Sequence, residues 1–253
     1  MPWDPDRYQK FRTERAAPFE DLLGLLNIRA GLRVVDLGCG TGELTRQLAD
    51  ILPGSDVVGL DSSPEMLARA AEQARPGLRF EQADIQTAGG EWDVVFSHAA
   101  LQWVADHAAL IPRLYGMLRP GGQLVVQMPS NHGHLTHRLI AEIASETPFR
   151  EALGGWVRRS PVLGIDQYAE LLFAQGAEQI VVFEKVYPHV LADAEALLEW
   201  MSGTALMPYA ERLGDALYQQ FSEVYGARLR SAWPTGPVFF GFRRTLFAAT
   251  RPG

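Results

Sequence analysis

Apolar and polar positions divide the chain into two stretches of different rhythm. Between about residues 33 and 128, short apolar runs rich in β-branched residues recur, and helical patterns separate most of them. Arg33–Leu37, Asp56–Asp61, Leu78–Asp84, Trp92–His98 and Gln123–Met128 read as strands. Glu43–Ala49, Glu65 towards Gln73, and about 106 to 118 read as helices, with Ser62 or Ser63 as a cap and Pro64 in the first turn. Phe19–Leu26 precedes them as an amphipathic helix, and Arg119-Pro120-Gly121-Gly122 reads as a sharp turn into the fifth strand. Strands alternating with helices imply right-handed crossovers and a parallel sheet. Beyond Pro129 the alternation loosens into helices at 136–144 and 166–175, a strand at 177–186, helices near 194–201 and 211–230, and an aromatic-rich strand at 239–250. No repeat or Gly/Ser linker interrupts the chain. One domain spanning 1–253 is therefore expected: an N-terminal flap (1–18), a core (20–130) and helical cap elements (131–175 and 190–236).

The chemistry begins where the first strand runs into glycines, at Asp36-Leu37-Gly38-Cys39-Gly40-Thr41-Gly42. Strand, glycine turn and helix N-terminus form the opening of a nucleotide-binding unit. Gly38, Gly40 and Gly42 allow tight turning and close ligand approach. The dinucleotide fingerprint wants Gly or Ala where Glu43 stands, and no Lys-Ser or Lys-Thr follows for a phosphate loop. Glu43 and Asp36 disfavour phosphate but suit a zwitterion or cation. S-adenosylmethionine fits, carrying an ammonium and a sulfonium and no phosphate. Asp61, ending the second strand, is placed for the ribose hydroxyls, and Asp84 for the adenine amine. Met66 and Ile85 would wall the base. Each acid has a plainer alternative: Asp61 as a helix cap, Asp84 as a turn residue.

Composition narrows the partners. The formal charge of −7 over 253 residues argues against nucleic acid or an acidic membrane. The one cysteine, Cys39, excludes an internal disulfide and a cysteine-rich zinc site, and reads as a small packing residue under the turn. No metal is expected. The N-terminus shows no secretory pattern and no run approaches a membrane span, so a cytoplasmic monomer or weak homo-oligomer is the expectation.

Together with Gly59-Leu60-Asp61-Ser62-Ser63, Met66, Ala83-Asp84-Ile85 and Leu118–Gly122, the glycine loop resembles the class I S-adenosylmethionine-dependent methyltransferases over about residues 20–130. The resemblance implies a Rossmann-like α/β fold whose seven-stranded, mostly parallel sheet has an antiparallel last strand. A narrower resemblance, to the trans-aconitate 2-methyltransferase family, rests on Trp3-Asp4-Pro5, Tyr8, Phe11, Glu14-Arg15, Leu101-Gln102-Trp103, Asp106-His107, Gln127-Met128-Pro129, Asn131, Trp200, Leu206, Pro208 and Phe242–Arg244. It implies methyl transfer to a carboxylate of trans-aconitate, with S-adenosylhomocysteine as coproduct. Thr41-Gly42-Glu43 departs from the Pro-Gly-Asn expected in relatives, and 150–164 matches no familiar motif.

A small polycarboxylate needs cationic donors, and arginine forks suit carboxylates. Arg244 and Arg15 lead, followed by Tyr8, His107, Asn131 and Tyr209. Arg243 and Arg244 must face opposite ways on a strand, so only one can serve. Residues 3–15 read first as a surface helix and second as a flap, and His107 as a helix-start residue or a substrate contact. Gln102 and Trp103 either line the cofactor or, in the case of Trp103, pack beneath the fourth strand. A different small acceptor and a non-catalytic cofactor-binding protein remain the competing classes.

Overall fold

In the computed structural model, which describes residues 13–253 and side chains from Ala17 on, the apolar runs form a seven-stranded sheet of order β3-β2-β1-β4-β5-β7-β6. β1 (Arg33–Leu37), β2 (Asp56–Asp61), β3 (Leu78–Gln82), β4 (Trp92–His98) and β5 (Leu118–Pro129) are parallel, and β7 (Val238–Thr250) runs antiparallel to β5. β6 (Glu178–Leu191) is the outer strand beside β7. The expected sheet with its antiparallel last strand is thus present.

Period two explains why these runs read as continuous apolar segments. Val35, Leu37, Val58, Leu60, Val95, Leu124 and Val126 enter the core on one face, while Val34, Val57, Val94, Phe96 and Val125 enter a second core on the other. A sheet covered on both faces has no solvent side to mark with polar residues. Each such side chain contributes about 1.5–3 kcal/mol on burial.

Helices α1 (Thr13–Leu23), α2 (Glu43–Asp50), α3 (Pro64–Ala70) and α4 (His107–Gly116) accompany the parallel strands. After β5 come α5 (Leu135–Ala144), α6 (Phe149–Ala152), α7 (Ile165–Ala174), α8 (Ala194–Ser202), α9 (Met207–Leu213) and α10 (Asp215–Ala232). The described chain groups into two compact units. Among the described residues, the sheet unit comprises 13–129, 161–185 and 244–253, and the helical unit holds 130–160 and 186–243. Residues 161–175, expected among the cap elements, fall in the sheet unit because Tyr168 and Leu172 of α7 are buried in its core. In the helical unit Leu197, Trp200, Met201, Phe221, Tyr225, Leu229 and Phe240 form a separate core.

Three local expectations change. Arg119–Gly122 lies inside β5 as a bulge rather than a turn before it. A two-residue step from Trp92 to Val94 is matched by the five-residue step from Leu118 to Gln123, with Gly121 at φ +73°. The helical pattern of 211–230 is broken by Gly214, at φ 69° and ψ 164°, into α9 and α10. β3 ends at Gln82, leaving Asp84 in the following turn.

Candidate cofactor and acceptor site

The glycine loop is fixed by its own backbone. Gly38 and Cys39 N–H both donate to the Leu60 carbonyl, at 2.8 and 3.0 Å, and Gly42 N–H donates to Cys39. Gly40 N–H donates to Asp61 Oδ2 at 2.9 Å, and Ser63 N–H to Asp61 Oδ1 at 2.9 Å. Asp61 therefore braces the loop from the end of β2. The cap of α3 is Ser63, whose Oγ accepts from Met66 N–H at 3.2 Å. Ser62 is exposed and offers its carbonyl to Gln82. Each Asp61 oxygen keeps a lone pair beyond its backbone bond, so the half-exposed carboxylate can still accept hydroxyls.

Two glycines serve different ends. At Gly38, φ +82°, a Cβ would stand 2.2 Å from the Ala100 Cβ, so β1 and the segment after β4 meet through a missing side chain. At Gly40, φ +55°, a Cβ would meet nothing within 4 Å among the described residues, which leaves open ground above the loop as far as they reach. That open ground, with Asp61 at its edge, fits a nucleoside-bearing cofactor.

Beneath the loop Asp36 is buried, and its Oδ2 accepts from the Thr45 hydroxyl at 2.6 Å. Burial pushes its carboxyl up to about 7, Thr45 opposes this, and Asp61 adds to it. Asp36 Oδ1 has no hydrogen-bond partner. Burial, then the charges of Asp36 and Asp61, push the Cys39 thiol upward, which makes it a packing residue rather than a nucleophile.

Asp84 is exposed, and its Oδ1 accepts from Gln86 N–H at 2.7 Å. It is thus a turn residue with one oxygen beyond that turn. Ile85 is half-buried against the sheet core, its carbonyl held by the Arg113 guanidinium, and Met66 is buried.

After β4 the chain turns sharply at Ala99, a non-glycine residue at φ +55°. Ala99 N–H donates to the Gln127 carbonyl at 2.8 Å, and Gln102 Nε2 donates to the Ala99 carbonyl at 2.6 Å. Gln102 Oε1 is buried and unpaired. Such strain concentrates at binding sites. Trp103 is 45% exposed, which removes the reading of it as a core residue beneath β4.

His107 is corrected. Its ring is buried, with Nε2 2.9 Å from the Leu101 carbonyl and Nδ1 2.5 Å from the Tyr168 hydroxyl. The carbonyl can only accept, so the hydrogen sits on Nε2 and Tyr168 donates to Nδ1. Burial holds its pKa below the ordinary histidine value. With both nitrogens engaged inside the sheet unit, it joins α4 to α7, and neither ring nitrogen is left over for a substrate.

Arg243 is exposed and Arg244 buried, as opposite strand faces require. Arg244 pairs in register with Pro129 at the end of β5. Gln127, offered by the sequence only within the Gln127-Met128-Pro129 motif, and His98, not singled out there, stand beside it on β5 and β4. The signal for Gln127 was a polar residue in an otherwise apolar buried strand, where a partner is obligatory.

Within the helical unit, Asn131 Oδ1 accepts from Arg243 N–H at 2.8 Å, while its buried Nδ2 has no partner. Tyr209 is buried, and its hydroxyl accepts from Arg158 N–H at 3.2 Å. Its ring lies 5.2 Å from that of Trp156, over which the Arg212 guanidinium sits at 3.9 Å. Burial lowers the pKa of Arg158 and pushes His137 down to about 3. Trp156 and Arg158 of this cluster come from the stretch that carried no motif. Tyr8 lies outside the described residues, as does the side chain of Arg15, whose backbone belongs to α1.

Among the described residues, no group of His, Cys, Asp or Glu could hold a metal ion, and no helix is long and apolar enough to cross a membrane.

A glycine loop braced by an acid at the end of β2, within this strand order, matches known proteins at each level of comparison. Residues 28–172 match the model of a methyltransferase domain family, so the chain is a methyltransferase-domain protein. Among solved structures, Haemonchus contortus phosphoethanolamine N-methyltransferase 2 in complex with S-adenosyl-L-methionine aligns with TM-score 0.57 at 23% identity, over 94% of this chain and 53% of that one. An S-adenosylmethionine-dependent methyltransferase from Mesorhizobium loti aligns with TM-score 0.52 at 22% identity, over 93% and 98%. These establish the fold. Full-length relatives are more specific. A Deinococcus radiodurans protein named trans-aconitate 2-methyltransferase is 50% identical over 100% of this chain and 99% of its own. One of the same name from Variovorax paradoxus is 40% identical over 99% of both. The chain belongs to the trans-aconitate 2-methyltransferase family.

Proposed function

We propose that this chain transfers a methyl group from S-adenosylmethionine to a carboxylate of trans-aconitate, forming a monomethyl ester. The observation that carries this reading is the identity of 50% along the whole chain to a relative of that name.

The residues present fit the cofactor. The open ground above Gly40, the free lone pairs of Asp61 and the surface position of Asp84 suit the nucleoside, with Met66 and Ile85 beside the base. Asp36 lies below as a carboxyl poised near neutrality, which favours a cationic neighbour. Gln102 and Trp103, in the turn after β4, border the same loop through Ala100. Bound there, S-adenosylmethionine supplies an electrophilic sulfonium methyl group.

The acceptor carboxylate is ionised at neutral pH, so no side chain has to remove a proton. The protein's work is positioning and exclusion of water, and such juxtaposition can lower a barrier by ~7–11 kcal/mol. Among the described residues of the sheet unit, Arg244 is a buried cation, and its guanidinium suits a carboxylate of the acceptor. β1 and β7 are separated by β4 and β5, a span of ~14 Å at ordinary strand spacing. Tyr8 and Arg15 remain sequence candidates for the other carboxylates.

The test is an initial-rate panel of trans-aconitate, cis-aconitate, citrate and isocitrate with labelled cofactor. The reading expects trans-aconitate to be methylated with the highest kcat/KM. Preference for an acceptor without carboxylates, or cofactor binding with no transfer to any acid, would overturn it.

A further inference from the structure

We propose that Arg113 is a positioning residue for the nucleoside end of the site, holding the Asp84 carboxylate in place through the peptide that joins Ile85 to Gln86. The proposal rests on the reading that Asp84 accepts the exocyclic amine of the cofactor's adenine.

Asp84 lies in a stretch with little structure of its own. β3 and β4 run parallel with β2 and β1 between them, and residues 83–91 join them without a helix. The connections from β1 to β2, β2 to β3 and β4 to β5 each carry one, as such crossovers usually do. In its place stands a turn. The Asp84 carbonyl accepts from Thr87 N–H at 3.0 Å and Ala88 N–H at 2.9 Å, and Asp84 Oδ1 accepts from Gln86 N–H at 2.7 Å. Asp84, Gln86 and Thr87 are exposed, so water competes for these bonds and the turn alone is weak. The end of the crossover is held separately, by Trp92 Nε1 donating to the Gly89 carbonyl at 3.1 Å.

The anchor comes from α4. Half-buried Arg113, in the last turn of that helix, donates from Nη1 to the Ala88 carbonyl at 2.6 Å and from Nη2 to the Ile85 carbonyl. A guanidinium holds its donors in a rigid plane, so two such bonds fix both carbonyls relative to the helix. The Ile85 carbonyl and the Gln86 N–H belong to one planar peptide. A cation at its oxygen and a carboxylate at its N–H polarise that unit in the same sense, and each bond strengthens the other. Arg113 thus sets both the direction and the strength of the bond that orients Asp84. The same contact holds Ile85, whose side chain packs against the sheet core beside the base position.

The consequence is discrimination between bases. A purine amine gives the outer oxygen of Asp84 a donor, whereas a carbonyl at the same ring position sets two acceptors against each other. Rejection of the second depends on a carboxylate that cannot swing aside. Arg113 removes that freedom.

The experiment compares Arg113→Met, Arg113→Lys and Asp84→Ala with the unaltered protein. Calorimetry gives the affinities for S-adenosylhomocysteine and S-inosylhomocysteine, whose bases carry an amine and a carbonyl at that position, and hydrogen exchange is followed at the Gln86 amide. The unaltered protein is expected to favour the adenine compound by about 10- to 100-fold, the worth of one bond to a charged group. Arg113→Met should reduce that preference to about threefold or less, and Arg113→Lys, with one head for two carbonyls, should fall between. Exchange at Gln86 should quicken in both. A variant that is merely less stable would weaken both ligands alike and keep the ratio. An unchanged ratio in Arg113→Met overturns the proposal, and if that variant does not fold, an unchanged ratio in Arg113→Lys does so. If Asp84→Ala keeps the preference, the underlying assignment of Asp84 fails. If Asp84→Ala loses it and both Arg113 variants keep it, this proposal alone fails.

Discussion

In the sheet unit, Asp61 and Asp84 stand at strand ends or in the turn beyond, each bonded to backbone N–H groups and each partly exposed. In the helical unit, His137 is half-buried and Tyr209 is buried at the Arg158 backbone. The first arrangement leaves acceptor capacity for a ligand. The second commits polar groups to the unit's own packing. Asp36 belongs between the two, buried like the second group yet holding an unpaired oxygen under the open loop. The polar residues of the sheet unit therefore suit binding, while those of the helical unit first serve stability.

The strongest way to break this comparison is Gly38→Ala. The residue needs a left-handed backbone, costing about 1–2 kcal/mol, and its Cβ would overlap Ala100, costing about 1–3 kcal/mol more. Chemical denaturation should show a loss of about 2–4 kcal/mol together with loss of cofactor binding. Adding Ala100→Gly should restore part of both, which a merely unstable variant would not show. Next, Arg244→Ala should raise KM for trans-aconitate by about 10- to 100-fold and leave cofactor affinity within about twofold. Equal losses for both ligands would erase the distinction between cofactor and acceptor ends.

Tyr209→Phe tests the helical unit. It strips Arg158 N–H of its acceptor and should cost about 1–2 kcal/mol by denaturation, with no change in cofactor affinity. A fall in cofactor affinity would contradict the division of roles.

The smallest effect is in protons. Asp36 has a folded pKa near 7, above its ordinary value of 3.8, so the folded state binds more protons between those values and stability falls as pH rises through that window. His137 acts oppositely. With its pKa pushed down to about 3 from 6.5, the unfolded state binds more protons and acidification destabilises the fold. At pH 7, a cationic cofactor beside Asp36 should expel a fraction of a proton. Calorimetry in buffers of different ionisation enthalpy should detect it, and Asp36→Asn should abolish it.

The parallel strands were legible because burial on both faces leaves long apolar runs, and the acids at their ends stood out against them. Arg119–Gly122 was misread because Gly and Pro punctuate bulges and turns alike. Gly214 was overlooked because a single glycine does not cancel a helical period. His107 reads from sequence as a helix start or a substrate contact because its partner Tyr168 lies 61 residues away, and a long-range pairing leaves no local trace. Gln127 carried a signal in its polarity, but the need for a partner does not say which partner. Arg158 and His137 lie where spacing offers no motif, since their burial is set by packing of α5, α9 and the segment after α6.

The most direct test of the central claim, ester formation on an already ionised acid, is product analysis with 13C-methyl-labelled S-adenosylmethionine and trans-aconitate. One labelled methyl on a carboxylate oxygen, released by mild base to regenerate trans-aconitate, is the expected result. A methyl on carbon, or no transfer from a protein shown to bind the cofactor, would contradict it.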